Sequence, residues 1–135
     1  MAGASTTIGC VFCNILLNDD RPMIADNALC FAVIDHFPVN PGHALIIPKR
    51  HVTRLLDLSR EEVCALHDLL NTVQRKLAME HKPDGFNIGV NEGEAAGQTI
   101  FHLHVHVIPR YAGDVDEPQG GIRNIKKALV AYRIA

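Results

Sequence analysis

Residues 101–110 read FHLHVHVIPR, and no other stretch constrains the fold as tightly. His102, His104 and His106 alternate with Leu103, Val105 and Val107. Aliphatic residues at every second position argue for a strand. Successive side chains of a strand point to opposite faces, so the imidazoles share one face and the aliphatics the other. Neighbouring histidines then lie roughly 6.5–7 Å apart. The aliphatic face packs on a core, and the histidine face meets ligand, metal or solvent. Pro109 has no N–H for a ladder, so the strand is expected to end there, with Arg110 at its mouth.

Such a strand needs partners, and the chain supplies them. LCFAVID (29–35) and HALIIPK (43–49) read as two further strands. The turn segment HFPVNPG joins them, so they form a hairpin with a long loop. FNIGVN (86–91) reads as another strand, and EGEAAGQT is a polar, glycine-containing loop leading into the histidines. SREEVCALHDLLNTVQRKLAMEH (59–81) is the clearest helix. Ser59 caps it, with Glu62 three residues on as a capping box. Val63, Leu66, Leu70, Val73 and Leu77 make its apolar stripe, and Pro83 and Gly85 end it. A short helix is expected after Cys13. Hairpin, long helix and further strands predict an α+β domain with an antiparallel sheet.

A chain of 135 residues, 47% of them hydrophobic, fits one domain with a real core. The first nine residues read as a flexible tail, and a short C-terminal extension (115–135) follows the domain. A formal charge of −2 gives no sign of a nucleic-acid-binding surface. There is no apolar run of 18 residues, which argues against a membrane span. The start, MAGASTTIG, has neither the basic region nor the apolar stretch of a secretory signal, so the expected location is cytoplasmic. Cysteines of a reducing compartment are buried thiols or metal ligands rather than disulfides. Cys30 and Cys64 read as small buried residues.

Three imidazoles on one face can hold a metal, and alternating histidines can ligate zinc. That reading alone leaves Asn91, Gln98 and the glycine loop without a role. Imidazole is also a good nucleophile near neutral pH and a good leaving group once protonated. A histidine on a rigid strand, with others nearby, suits phosphoryl or nucleotidyl transfer. Gly93 and Gly97 let backbone approach a ligand closely, and exposed loop N–H groups can cradle a phosphate. Gln98 and Thr99 add neutral donors.

NEGEAAGQTIFHLHVHVIPR resembles the histidine triad superfamily of nucleotide hydrolases and transferases, and IDHFPVNPGHALIIPKRH resembles that family's strand and P-G-H hairpin. The resemblance spans roughly residues 10 to 114. It implies a small α+β domain whose antiparallel sheet of about five strands carries one long helix, and which dimerises into a continuous sheet. It implies that His104 is the nucleophile, that His106 contacts the α-phosphate and leaving group, and that His43 completes the polar cluster. Asp35 would hold the ribose hydroxyls, with His36 beside it in the nucleotide site. Asn91, Gly97, Gln98 and Thr99 would line the phosphate site. Residues near Ile34 and Phe12 would wall the base pocket.

The expected substrate is a nucleoside phosphoramidate or a dinucleoside polyphosphate of adenosine or guanosine. Arg110 and GDVDEPQGGIRN resemble the dinucleoside polyphosphate branches more than the phosphoramidase branch. A backbone carbonyl near His102 would fix the tautomer of His104, and protonated neighbouring histidines would meet phosphate charge. The alternative is a nucleotide-binding scaffold with a regulatory role and weak hydrolysis.

Cys10 and Cys13 are spaced C-x-x-C, which is either a metal half-site or a pair of buried thiols. A closed zinc site needs four ligands, and His51 and His102 are the candidates to complete it. The set resembles a zinc-bearing bacterial branch of the same family, which implies structural Zn²⁺ on Cys10, Cys13, His51 and His102. His102 would then have a structural duty, leaving His104 and His106 facing the chemistry.

Overall fold

A computed structural model describes residues 9–18 and 21–126. The expected N-terminal tail and the end of the C-terminal extension lie outside the described residues, apart from Gly9 and residues 115–126. Helix α1 (Val11–Asn18) opens the described chain, followed by β1 (Ala25–Asp26), β2 (Cys30–Ile34) and β3 (Ala44–Pro48). Helix α2 (Arg60–His81) leads to β4 (Gly85–Gly89) and β5 (Val105–Arg110). The strands form one antiparallel sheet in the order β1-β2-β3-β5-β4. The fold is α+β, as the pattern of elements predicts.

Alternation along β5 divides the sheet into two unlike faces. Val105 and Val107 join Cys30, Ala32, Ala44 and Ile46 beneath Leu69, Val73 and Leu77 of α2. Each buried Val, Leu or Ile among them contributes roughly 1.5–3 kcal/mol. On the other face Phe31, Val33, Leu45 and Ile47 pack against Phe12, Cys13 and Ile15 of α1. Helix α1 is short and covers only the β2–β3 half. The β5–β4 half of that face carries the exposed side of β5, and the site is built there.

The cap of α2 is as expected. Ser59 Oγ accepts from the Glu62 N–H, and Glu62 Oε1 accepts from the Ser59 N–H. Glu62 also takes Arg50 bidentately at 2.9 and 2.7 Å. That guanidinium holds the buried carboxyl down at about 2. The link fastens the segment carrying His51 to the start of α2.

Several expectations need correction. The buried line of α2 runs through Glu62, Leu69, Val73 and Leu77, whereas Val63 is 51% exposed. One residue is a turn of about 100° on a helix, which moves Val63 off the face that Glu62 and Leu69 share. Cys30 is buried, but Cys64 lies on the exposed side of α2. The histidine strand starts at Val105 rather than at His102, because pairing with β3 runs only from Val105 to Val107. Nor does Pro109 end the strand. It pairs with Phe86 of β4 where β5 has passed the end of β3, so a missing N–H disrupts no ladder on that side. Ile34 pairs with Ala44, which pairs with Val107, so its register puts it on the face opposite His106. Gly42, at φ +90°, lets the hairpin loop pass where a Cβ would meet the His81 ring at 2.9 Å.

Candidate active site

Hydrogen bonds to backbone assign the tautomers of the four central imidazoles. His104 Nδ1 lies 2.8 Å from the His102 carbonyl, so Nδ1 carries the proton and Nε2 keeps its lone pair. The expected carbonyl is therefore the one that fixes His104. His102 Nε2 lies 2.7 Å from the Pro48 carbonyl, which leaves the lone pair on Nδ1. The Val39 N–H donates to His43 Nδ1 at 3.0 Å, so the His43 proton sits on Nε2. That N–H is 2.9 Å from His106 Nδ1 and 3.4 Å from Asp35 Oδ2. It donates to His106, whose own proton is then on Nε2.

The histidines thus separate into two groups. His102 Nδ1 lies 3.4 Å from Cys10 Sγ and 3.5 Å from Cys13 Sγ, and His51 Nδ1 lies 3.3 Å from Cys13 Sγ. A tetrahedral zinc with bonds near 2.0 Å to nitrogen and 2.3 Å to sulfur separates its donors by about 3.3–3.8 Å. All four donor atoms converge within 4.8 Å of one another, and the lone pair of His102 Nδ1 is turned to the cysteines, so Cys10, Cys13, His51 and His102 can hold a metal. The second convergent set is Asp35, His43 and His106. Its donor spacing would also suit a metal, but the Val39 N–H keeps a proton on His43 Nε2. That set is a hydrogen-bonded relay.

Electrostatics follow from burial. Desolvation, with His104 and His43 nearby, pushes His106 down to about 4 despite Asp35. His43 is lowered by desolvation, against the pull of Asp35. His102 is held at about 4, first by burial and then by His51 and His104. His106 and His43 are therefore neutral at pH 7. The expectation of protonated neighbours does not hold for this pair: His106 presents a neutral Nε2–H, while the one N–H of His43 is given to His106.

The remaining expected residues surround this core unevenly. Asp35 is partly buried, and its Oδ1 accepts from the Phe37 N–H at 2.9 Å. His36 and Thr99 are exposed. Asn91 and Gly97 face a cavity of about 800 Å³ that also touches His43 and His106. The Phe12 ring stands edge-on to His104, centroids 5.0 Å apart. Gln98 is 3% exposed and its amide is committed to the loop. It accepts from the Gly93 N–H at 2.9 Å and donates to the Thr53 and Ile100 carbonyls at 3.3 Å. The N–H groups of Ala96, Gly97 and Gln98 also turn inward, onto Gly93 and Glu94 carbonyls, and so close the loop. Arg110 is held by Asp114 and Asn87, away from the imidazoles. Sequence reasoning missed Val39 and Pro48, whose backbone groups orient the histidines and leave no residue-type signal. It also missed Ile122, Ile125 and Lys126 on the cavity wall.

Residues 17–113 match the HIT domain model. A HIT-like protein of Mycoplasma genitalium is 39% identical over 108 residues, covering 79% of this chain and 77% of its own length. An AP-4-A phosphorylase of Mycobacterium tuberculosis is 37% identical over 102 residues, 75% of this chain and 52% of the relative. A Zn-bound histidine triad family protein from Mycobacterium smegmatis superposes with a TM-score of 0.72 at 37% identity, covering 78% of each chain.

Proposed function

The chain belongs to the HIT-domain family, and on that premise we propose that it is a nucleotide hydrolase or transferase working at an α-phosphate through a covalent nucleotidyl-histidine. One observation carries the reading: His104 Nδ1–H is bound to the His102 carbonyl at 2.8 Å, which leaves Nε2 as the nucleophile. In the proposed reaction the Nε2 lone pair attacks the α-phosphorus and the bond to the leaving group breaks. His106 Nε2–H hydrogen-bonds the departing atom and keeps its proton, while His43 steadies His106 from the other side. A polyphosphate thus leaves as its own anion, and an amine takes its proton from solvent. Water then cleaves the phosphorus–nitrogen bond, which frees a nucleoside monophosphate and restores His104. Imidazole suits both steps, because its bond to phosphorus forms readily and breaks readily once protonated.

Asp35, His36 and Asn91, with Gly97, Gln98 and Thr99, are the proposed nucleotide contacts, and Phe12 is the proposed wall beside His104. Gln98 would act through its brace on the loop unless its amide is released. The similarity to an AP-4-A phosphorylase supports a dinucleoside polyphosphate as one substrate, and a phosphoramidate is the other. The test is a screen of nucleoside phosphoramidates against dinucleoside polyphosphates. Release of a nucleoside monophosphate from at least one class is the expected result, and none from either would overturn the reading.

We take the metal to be zinc on Cys10, Cys13, His51 and His102. Two thiolates with two imidazoles suit zinc, and four protein ligands leave no open position for catalysis. The ion would fasten α1 to the segment that runs through His104 into β5. We also propose a homodimer joined through the terminal strand β4 and helix α2. The free edge of β4 and the 80% exposure of Met79 on α2 support it. Light scattering that returned a monomer of 14.8 kDa at micromolar concentration would refute it.

A further inference from the structure

The four thiols of the chain differ in what an oxidant can do to them. Cys30 is fully buried, and burial, then Glu62, pushes its thiol up to about 11, so it stays unreactive. Cys64 is exposed on α2 and belongs to no cluster of ligating side chains among the described residues. Cys10 and Cys13 lie one turn apart. The Cys10 carbonyl accepts the Asn14 N–H at 2.9 Å, which opens α1, and the Cys13 N–H donates to Cys10 Sγ at 3.5 Å. One helical turn separates Cα atoms by about 5 Å, and a disulfide spans roughly 4.4–6.8 Å. The two sulfurs already lie within 4.8 Å of each other. Cys10 is 9% exposed and Cys13 is closed off, so an oxidant meets Cys10 first and Cys13 stands behind it.

The same turn is joined to the nucleophile by two routes. His102 offers Nδ1 to both sulfurs, at 3.4 and 3.5 Å, while its carbonyl accepts from His104 Nδ1 at 2.8 Å. Its Nε2 is fixed on the Pro48 carbonyl at 2.7 Å. Phe12, between the two cysteines, stands edge-on to His102 and His104, with centroids 5.8 and 5.0 Å away. His102 is fully buried, so its Nδ1 lone pair depends on what the sulfurs hold. A disulfide draws the sulfurs to about 2 Å from each other and leaves neither as a thiolate ligand. A buried acceptor without a partner is costly, so the His102 ring and backbone shift. His104 then loses the carbonyl that keeps its proton on Nδ1.

We propose that Cys10 and Cys13 are a thiol–disulfide switch on the nucleophile, oxidised by a hydroperoxide. Cys10 Sγ attacks one peroxide oxygen, the oxygen–oxygen bond breaks, and Cys10 becomes a sulfenic acid as hydroxide leaves. Cys13 Sγ attacks the Cys10 sulfur, the sulfur–sulfur bond forms, and a second hydroxide leaves. The two sulfurs together lose two electrons and the peroxide gains them. Solvent supplies two protons, so both oxygens end as water. A dithiol reductant and the return of zinc reverse the change. The switch rests on the zinc and nucleotidyl-transfer readings and adds a control to them.

The test treats zinc-loaded protein with a small excess of hydrogen peroxide. Zinc should pass to a chromogenic chelator in step with the loss of two of the four thiols. The peptide carrying Cys10 and Cys13 should become lighter by the mass of a hydrogen molecule. Turnover should fall about a hundredfold, the effect of a misplaced reacting group, with KM kept within a few-fold. Nitrogen NMR of labelled histidine should show the Nδ1–H tautomer of His104 before oxidation and a mixture of tautomers after it. Dithiothreitol with zinc should restore every reading. Cys64→Ser should respond as the wild type does, which removes the exposed thiol from the account. Thiol loss confined to Cys64, or zinc retained through oxidation, would overturn the switch. So would a disulfide that leaves kcat and the His104 tautomer unchanged. Each of these results leaves the metal and hydrolase readings standing. Failure to cleave any nucleotide would overturn the hydrolase reading, and the thiol, zinc and NMR readings would still decide the switch. A protein that takes up no zinc would overturn the metal assignment and the switch together.

Discussion

His43 and His106 face each other with Nε2 and Nδ1 2.9 Å apart, and the Val39 N–H at the far side of His43 sets the direction of that hydrogen bond. Because His43 must donate, His106 must accept at Nδ1 and carry its proton at Nε2. The orientation of the His106 N–H donor is therefore decided two residues away, by a backbone N–H in the hairpin loop.

Replacing His43 with alanine removes the donor and frees both tautomers of His106. Turnover should fall by about a hundredfold, the size typical of losing one positioned hydrogen-bond donor to developing charge. The loss should appear mainly in kcat, since His43 orients a hydrogen-bond donor and does not hold the nucleoside. Steady-state kinetics of His43→Ala against wild type checks this, and an unchanged kcat would show that His106 does not depend on His43.

Acid should destabilise the protein in a defined window. The unfolded His106 takes a proton near its ordinary value of 6.5, whereas the folded group resists protonation down to about 4. Between these values the unfolded chain binds the extra proton, so stability falls as pH falls through the window. Above about pH 6.5 the group contributes no slope, and below about 4 it contributes no further loss. The decrement from His106 is on the order of 3 kcal/mol across the window, and His43, lowered in the same direction, adds to it. Denaturant melts at a series of pH values measure it. His106→Asn should flatten the curve, and an unaltered slope in that variant would assign the acid sensitivity elsewhere.

Much of this was legible in the chain, and the reasons are specific. Ser59 and Glu62 announce the start of α2 because a capping box is local chemistry. The Cys10–Cys13 spacing offers two metal ligands on one turn, and the fold brings His51 and His102 to them as a set that could hold an ion. The phase of the helix was less legible. Val63 and Leu69 are both apolar, and only the sheet beneath selects which is buried. The first residue of β5 depends on where β3 stops, which is a tertiary fact. Gln98 has the same amide whether it binds a phosphate or braces Gly93, so its residue type does not choose. The orienting groups on Val39 and Pro48 are main chain, and their side chains carry no sign of the role.

Removing the metal should loosen one side of the sheet. Cys10 and Cys13 flank the start of α1, and His102 lies between that helix and β3. Without the ion, two buried thiols and a fully buried imidazole keep only weak mutual contacts. Freshly purified protein should contain one zinc per chain by elemental analysis. Chelation, or Cys13→Ser, should lower stability by several kcal/mol and the melting temperature by several degrees. Metal-free protein with an unchanged melting temperature would sink the assignment.

The last prediction concerns His104, whose geometry carries the proposed function. Its Nδ1–H is fastened to the His102 carbonyl at 2.8 Å, and its ring packs edge-on to Phe12 on one side and His106 on the other. The ring cannot turn over without losing that hydrogen bond, so the lone pair stays on Nε2. A serine in its place would form a phosphate ester that water releases slowly, and a carboxylate would form a mixed anhydride. The imidazole bond to phosphorus is intermediate, and neutral N–H donors around it reduce the need for a divalent ion. His104→Ala should therefore abolish turnover while retaining nucleotide affinity within a few-fold, because Asp35, Asn91 and the loop are untouched. Rapid quenching of the wild type should trap a nucleotidyl adduct on His104 by mass spectrometry. A His104→Ala protein that hydrolyses its best substrate at the wild-type rate would remove the nucleophile from this site and leave direct attack by water as the mechanism.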